Sequence, residues 1–249
     1  MRSGSTLPSR VAVFPCAASG LCGGCLDPLL RPGLAMTDFR QEFLEFSLAR
    51  DVLRFGQFVT KAGRDTPYFF NAGLFSDGDS LRRLGRFYAQ ACTASGLRFD
   101  QLFGPAYKGI TLAAATAIAL AEMGHNLPYS FNRKEAKDHG EGGVIVGAPL
   151  KGRILIVDDV ITDGGAKRES IELIRAQGAI PAGVLIAFDR KERGRGERSA
   201  VQELQQEFDV PVIAIATLDD LLGFLGARPG FAAQRTAVTA YRERYGAPA

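Results

Sequence analysis

Apolar residues recur in two rhythms along the chain, and the change from one to the other outlines the expected fold. Residues 1–35 are rich in Gly, Ser, Pro and Leu, with no sustained helical or strand period; they are expected to stay unfolded. From residue 37 the pattern sharpens. Phe39, Phe43, Phe46 and Val52 or Leu53 fall at helical intervals behind Thr37 or Asp38, predicting a capped helix that ends near Phe55-Gly56. Short strands are expected at 58–60 and 68–70, on either side of a turn at 61–65, and Asp79 or Ser80 precedes a helix running to about residue 95.

The remainder alternates. Strands are predicted at 101–103, 129–132, 153–157, 182–187 and 212–216. Between and after them the pattern predicts helices at 109–123, 165–177 and 199–207 and from Leu218. The strands are rich in Val, Ile and Leu without polar alternation, the mark of strands buried on both faces. The expected class is therefore α/β, a mostly parallel central sheet flanked by helices, with a small hood before it. Ligands in such sheets gather beyond the carboxyl ends of the strands, so the loops after Phe103, Asn132, Val157 and Phe188 should converge. A last helical run, after Pro229 and Gly230 and ending near Arg244, carries no readable motif.

With 46% hydrophobic residues, the 249-residue chain can bury one substantial core. Two of its three net positive charges lie in the first 35 residues, where Arg2, Arg10 and Arg31 face Asp27 alone. The body is thus nearly neutral, which argues against a nucleic-acid partner. No apolar run approaches the roughly 18 residues needed for a membrane helix, and no membrane partner is expected. Three of four cysteines, Cys16, Cys22 and Cys25, also sit in that first segment, leaving Cys92 for the body. No disulfide framework holds the body, as suits a reducing, cytoplasmic setting. Residues 1–35 read as an extension or a misassigned start, and residues 36–249 as the domain.

The strongest chemical signal is Ile154-Leu155-Ile156-Val157-Asp158-Asp159-Val160-Ile161-Thr162-Asp163-Gly164-Gly165-Ala166. An apolar strand delivers two carboxylates to its end, and a Thr and glycines open a helix whose N–H groups and dipole favour a phosphate. Carboxylates do not take a phosphate directly, so the acid pair suits hydroxyls or a divalent cation. A sugar phosphate satisfies both halves. The stretch resembles the 5-phosphoribosyl 1-diphosphate (PRPP) motif of type I phosphoribosyltransferases. That resemblance assigns Asp158 and Asp159 to the ribose hydroxyls and Val160, Ile161, Thr162, Asp163, Gly164, Gly165 and Ala166 to the 5′-phosphate. Asp163 and Gly165 depart from the usual pattern, which more often has a small apolar residue and a Thr; an added carboxylate weakens an anion pocket.

A second run, Phe58-Val59-Thr60-Lys61-Ala62-Gly63-Arg64-Asp65-Thr66-Pro67-Tyr68-Phe69-Phe70-Asn71-Ala72-Gly73, sets a lysine on a glycine turn beside a Phe pair with flat faces. A third, Asn132-Arg133-Lys134-Glu135-Ala136-Lys137-Asp138-His139-Gly140-Glu141-Gly142-Gly143, crowds four potential cations into what reads as a glycine-ended loop able to open and close over a diphosphate. Tyr107 and Lys108 stand at a strand-to-helix turn, and Arg190 lies just past another strand.

Together these segments resemble orotate phosphoribosyltransferases, in family order from about residue 36 to 225. The resemblance implies that Lys61, Tyr107, Lys108, Arg133, Lys134, Lys137 and His139 contact PRPP. It also implies that Phe69, Phe70, Thr162 and Arg190 contact orotate, with Arg190 on its carboxylate through parallel donors. Lys137 and Asp159, with Asp158 and the loop contact His139, are the catalytic candidates. No residue is assigned as a metal ligand, because Mg²⁺ would come mainly with PRPP. The loop 133–143 would reach across a homodimer. A purine-acting relative would leave the Phe pair and Arg190 without a task, and a repressor would need a basic recognition face.

Overall fold

The computed structural model describes residues 38–248 apart from 61–62, 138–142, 163 and 195, and leaves out the side chains of residues 136 and 137. The expectations for residues 1–35, Thr37, Lys61, His139 and Asp163 lie outside the described residues, as does the side chain of Lys137.

Helix α1 (Phe39–Ala49) starts where Asp38 caps it, its carboxylate accepting from the Arg40 N–H at 3.1 Å, and it buries Phe43, Leu44 and Phe46. It is shorter than predicted. Asp51 takes a left-handed φ of 56°, which ends the helix, so Val52 and Leu53 continue its apolar rhythm without belonging to it. Leu53 instead opens β1 (Leu53–Val59), which pairs antiparallel with β2 (Asp65–Phe70) through Leu53 opposite Phe70 and Phe58 opposite Thr66. This hairpin is the hood. Helix α2 (Gly78–Ser95) is capped by Asp77, two residues before the expected Asp79, and ends at Gly96 in the left-handed region.

Across the central sheet the strands run in the order 143–147, 129–137, 101–104, 153–157, 180–189 and 212–217. Its strands are β3 (Gln101–Gly104), β4 (Tyr129–Lys137), β5 (Gly143–Gly147), β6 (Arg153–Val157), β7 (Ile180–Asp189) and β8 (Val212–Thr217). Every neighbour pair is parallel except β4 with β5. Helices α3 (Lys108–Glu122), α4 (Gly165–Ala176), α5 (Ala200–Phe208) and α6 (Leu218–Gly226) alternate with these strands, and α7 (Ala232–Tyr245) packs on β2 of the hood. The sheet separates two apolar layers. One joins Leu102, Leu155 and Leu185 to α1, α2 and α3; the other joins Ile154, Ile156 and Ile186 to α4 and α5. Period-two alternation along β6 and β7 thus feeds both layers, as a doubly covered sheet requires.

Two sequence expectations are corrected here. Residues 133–137 belong to β4 rather than to a loop, and residues 143–147 form an edge strand that the pattern did not announce. The pairing of Asn132 with Ile145 and Lys137 with Gly143 is irregular in between. Backbone hydrogen bonding there outweighs the low strand propensity of a charged run.

Candidate functional site

The acid pair emerges from a strand that is buried over its last four residues. Ile154, Leu155, Ile156 and Val157 are fully buried, and Asp158 and Asp159 remain below a tenth exposed although they lie at the strand's end. Burying carboxylates is costly unless each has a partner, and each has its own lysine. Asp159 Oδ2 accepts from Lys108 Nζ at 2.6 Å, across from the loop that follows β3. Asp158 Oδ2 pairs with Lys167 Nζ from the first turn of α4, while its Oδ1 accepts the Asp159 N–H at 2.9 Å and its carbonyl accepts the Tyr88 hydroxyl at 2.8 Å. Burial pushes the Asp158 carboxyl above the usual range, with Lys167 pulling against that rise. Lys167 was not among the residues singled out by sequence. The signal was there, because it shares the apolar stripe of Ile171 and Ile174 at helical spacing, and a lysine on such a stripe must find a buried partner.

The turn that follows carries Val160, Ile161 and Thr162 to Gly164, whose φ of 77° suits glycine and starts α4 without a side-chain cap. Gly165 and Ala166 begin the helix. This is the geometry of an anion site at a helix start.

On the other side of Lys108 stands Tyr107, 70% exposed, with Lys134 Nζ 5.1 Å from its ring centre. Ala106 N–H donates to Asn132 Oδ1 at 2.8 Å, joining the loop after β3 to β4. Tyr107, Arg133 and Lys134 line a hollow of about 420 Å³ together with Ala106, Phe131 and Glu135. The segment after β3 therefore meets both the acid-pair turn after β6 and Asn132 of β4, setting Lys108 against Asp159 and Lys134 beside Tyr107. Lys137 is the final residue of β4. A larger hollow of about 790 Å³ lies between the hairpin and α7, and none of the described residues of the acid-pair turn lines it.

The Phe pair divides its work. Phe70 stacks on Phe188 at 5.2 Å and 22°, tying the hood to β7, whereas Phe69 stacks on Phe58 within the hairpin, under the Arg54 guanidinium. Arg190 also joins hood to sheet. Its Nε donates to Glu192 Oε1 at 2.6 Å, an NH2 group donates to Thr66 Oγ1 at 3.1 Å, and the guanidinium lies 4.4 Å from the centre of the Tyr68 ring. Arg64 reaches the same loop, donating to the Arg193 and Gly194 carbonyls at 2.7 and 3.1 Å. Glu192, Thr66 and Arg64 were given no role in the site from sequence, because the contacts that tie them together span more than a hundred residues.

The phosphoribosyl transferase domain family matches residues 77–218, which hold β3 to β8 and the acid pair. The orotate phosphoribosyltransferase of Laribacter hongkongensis is 64% identical over 211 residues, 85% of this chain and 99% of that relative; that of Chromobacterium violaceum is 65% identical over the same shares. The chain belongs to the orotate phosphoribosyltransferases. A crystal structure of the Francisella tularensis orotate phosphoribosyltransferase, 39% identical, superposes with a TM-score of 0.76 over 83% of this chain and all of its own. Relatives of the orotate phosphoribosyltransferase family thus match beyond the family domain, whose match begins after the hairpin.

Proposed function

We propose that this chain transfers ribose 5-phosphate from PRPP to N1 of orotate, giving orotidine 5′-phosphate and pyrophosphate in the making of UMP. The observation that carries the reading is the junction of Asp159 with Lys108 at 2.6 Å, which sets a carboxylate for sugar hydroxyls beside a cation for the diphosphate. In the reaction the ribose C1–O bond breaks with its electron pair leaving on pyrophosphate, and orotate, reacting as an anion, forms the N1–C1 bond. Asp158 and Asp159 orient the ribose. The turn from Val160 to Ala166, with Thr162, Asp163, Gly164 and Gly165, holds the 5′-phosphate. Lys108, Tyr107, Arg133 and Lys134, joined by Lys61, Lys137 and His139, stabilise the charge that grows on the leaving diphosphate. Phe69, Phe70, Thr162 and Arg190 receive orotate.

Among the described residues no group of three or more His, Cys, Asp or Glu side chains is arranged to hold a metal. Asp158 has both oxygens engaged by protein donors, a donor set that fits a metal carried by the substrate better than one lodged in the protein. Mg²⁺, bound to PRPP, would supply further neutralisation of the diphosphate. We also propose a cytoplasmic homodimer in which the segment 133–143 reaches the neighbouring site. The catalytic unit would be residues 36–249, supported by relatives matched almost end to end by 211 residues of this chain. Among the described residues no helix is long and apolar enough to cross a membrane.

Loss of orotate absorbance with PRPP and Mg²⁺, together with pyrophosphate release, tests the reaction. Lys137→Ala should lower kcat by roughly 10²-fold or more, and Arg190→Ala should raise the KM for orotate. A folded protein that binds PRPP and leaves orotate untouched would sink the reading.

A further inference from the structure

Lys167 stands where stability alone would not put a lysine. It is 6% exposed, and an ammonium taken out of water costs several kcal/mol unless it is paired and hydrogen-bonded. It also sits in the first turn of α4, where the helix dipole disfavours a positive charge. What it gains there is specific. Its ammonium donates to Asp158 Oδ2 and to the Val160 carbonyl, the latter at 2.7 Å. These two acceptors flank Asp159 in sequence. One buried cation therefore ties the start of α4 to both sides of the acid-pair turn.

The two acidic residues end up in different conditions. Asp158 is fastened at Oδ1, at Oδ2 and at its carbonyl, all within the protein. Asp159 pairs with Lys108, whose side chain is 56% exposed and can swing away.

We propose that Lys167 is a positioning residue for PRPP. It locks Asp158 and Val160 so that the turn is preformed for the sugar, and it offsets the negative charge of the acid pair. The inference rests on the reading that this turn takes PRPP.

The test uses the full chain, measuring PRPP affinity with Mg²⁺ by calorimetry in wild type, Lys167→Met and Lys167→Gln, beside Tm and the KM for orotate. Losing a buried charged hydrogen bond that shapes a site should weaken PRPP binding by about tenfold or more in Lys167→Met. Lys167→Gln, which keeps an amide donor, should fall between, and the KM for orotate should stay within about twofold in both. Should Lys167→Met fail to fold, Lys167→Gln alone decides. Wild-type PRPP affinity in a folded variant, whatever its Tm, would overturn the proposal and leave Lys167 a structural residue only. Absence of PRPP binding in the wild type would instead remove the functional reading beneath it.

Discussion

Lys108 Nζ lies 2.6 Å from Asp159 Oδ2, with the lysine side chain 56% exposed and the aspartate 12%. Only the lysine's end of the pair is open to water, so a ligand bringing hydroxyls for Asp159 and phosphate oxygens for Lys108 can part it by giving each charge a new partner. Lys108→Ala should lower Tm by a few degrees, because it takes the partner from the buried Asp159, while lowering kcat/KM for PRPP by roughly 10²-fold. Thermal melts and initial rates on one preparation check both halves. A large fall in Tm with normal kinetics would assign Lys108 to the fold instead.

Arg190 is held by Glu192, Thr66 and the Tyr68 ring. Removing Glu192's charge should loosen the guanidinium without taking it away. Glu192→Gln is therefore expected to raise the KM for orotate by a few-fold, and Arg190→Ala by about tenfold or more, since charged hydrogen bonds are worth roughly 1.5–3 kcal/mol. The KM for PRPP should move little in either. Equal weakening for both substrates in Arg190→Ala would mean that the hood itself has come loose.

Strand β3 and helix α3 approach so closely that no side chain fits between them. A Cβ on Gly104 would lie 2.1 Å from the Gly109 carbonyl oxygen, and one on Gly109 would lie 2.8 Å from that of Val157. Backbone has to give way in either case, and Val157 leads straight into the acid pair. Gly109→Ala should cost about 1–3 kcal/mol, a Tm loss of roughly 2–12 °C, and should weaken PRPP binding as well. Calorimetric melting gives the first quantity and titration with PRPP the second. Unchanged values for both would contradict the close approach.

Much of this was legible in advance because it is local. The run from Ile154 to Asp159 states its own burial and its own chemistry, and the parallel strands announced themselves by continuous apolar composition. Failures came where a neighbour distant in sequence decides. Val52 and Leu53 keep helical spacing with α1, yet the left-handed Asp51 turns them into the hairpin. The charged run at 133–137 resembles a loop until β5 is there to pair with it. Lys167 shares the apolar stripe of α4, but its partners Asp158 and Val160 come into view only in the fold. Glu192 gains its meaning only once Arg190 and Arg64 converge on it.

Cys92 offers a measure of core integrity. It is buried on α2, and burial pushes its thiol up from 9.0 to about 12. The thiolate is the reactive form, so in a variant with Cys16, Cys22 and Cys25 changed to Ser, a thiol reagent at pH 8 should titrate no group in the native protein and one after denaturation. Linkage fixes the pH dependence. Because the folded pKa is raised, the contribution is full below pH 9 and is lost as pH rises toward 12, where the unfolded chain sheds a proton that the folded chain keeps. Cys92→Ala should flatten part of the alkaline fall in Tm; the buried Tyr68 and Tyr88, shifted the same way, keep the rest. Rapid labelling of native Cys92 would show that α2 opens.

The end of the chain is stitched to its middle and its beginning. Arg193 N–H donates to the Tyr245 carbonyl at 2.9 Å, Ala247 N–H to that of Lys191 at 2.8 Å, and Tyr241 meets the ring of Tyr68 edge-on. A chain made from its amino terminus folds in that order, so the hairpin leaves the ribosome long before the helix that will brace it. The junction of hairpin, Arg190 and α7 is consequently the last part of the enzyme to be completed, and a message truncated by even one helix would yield a sheet with its acid pair assembled and its hood unbraced.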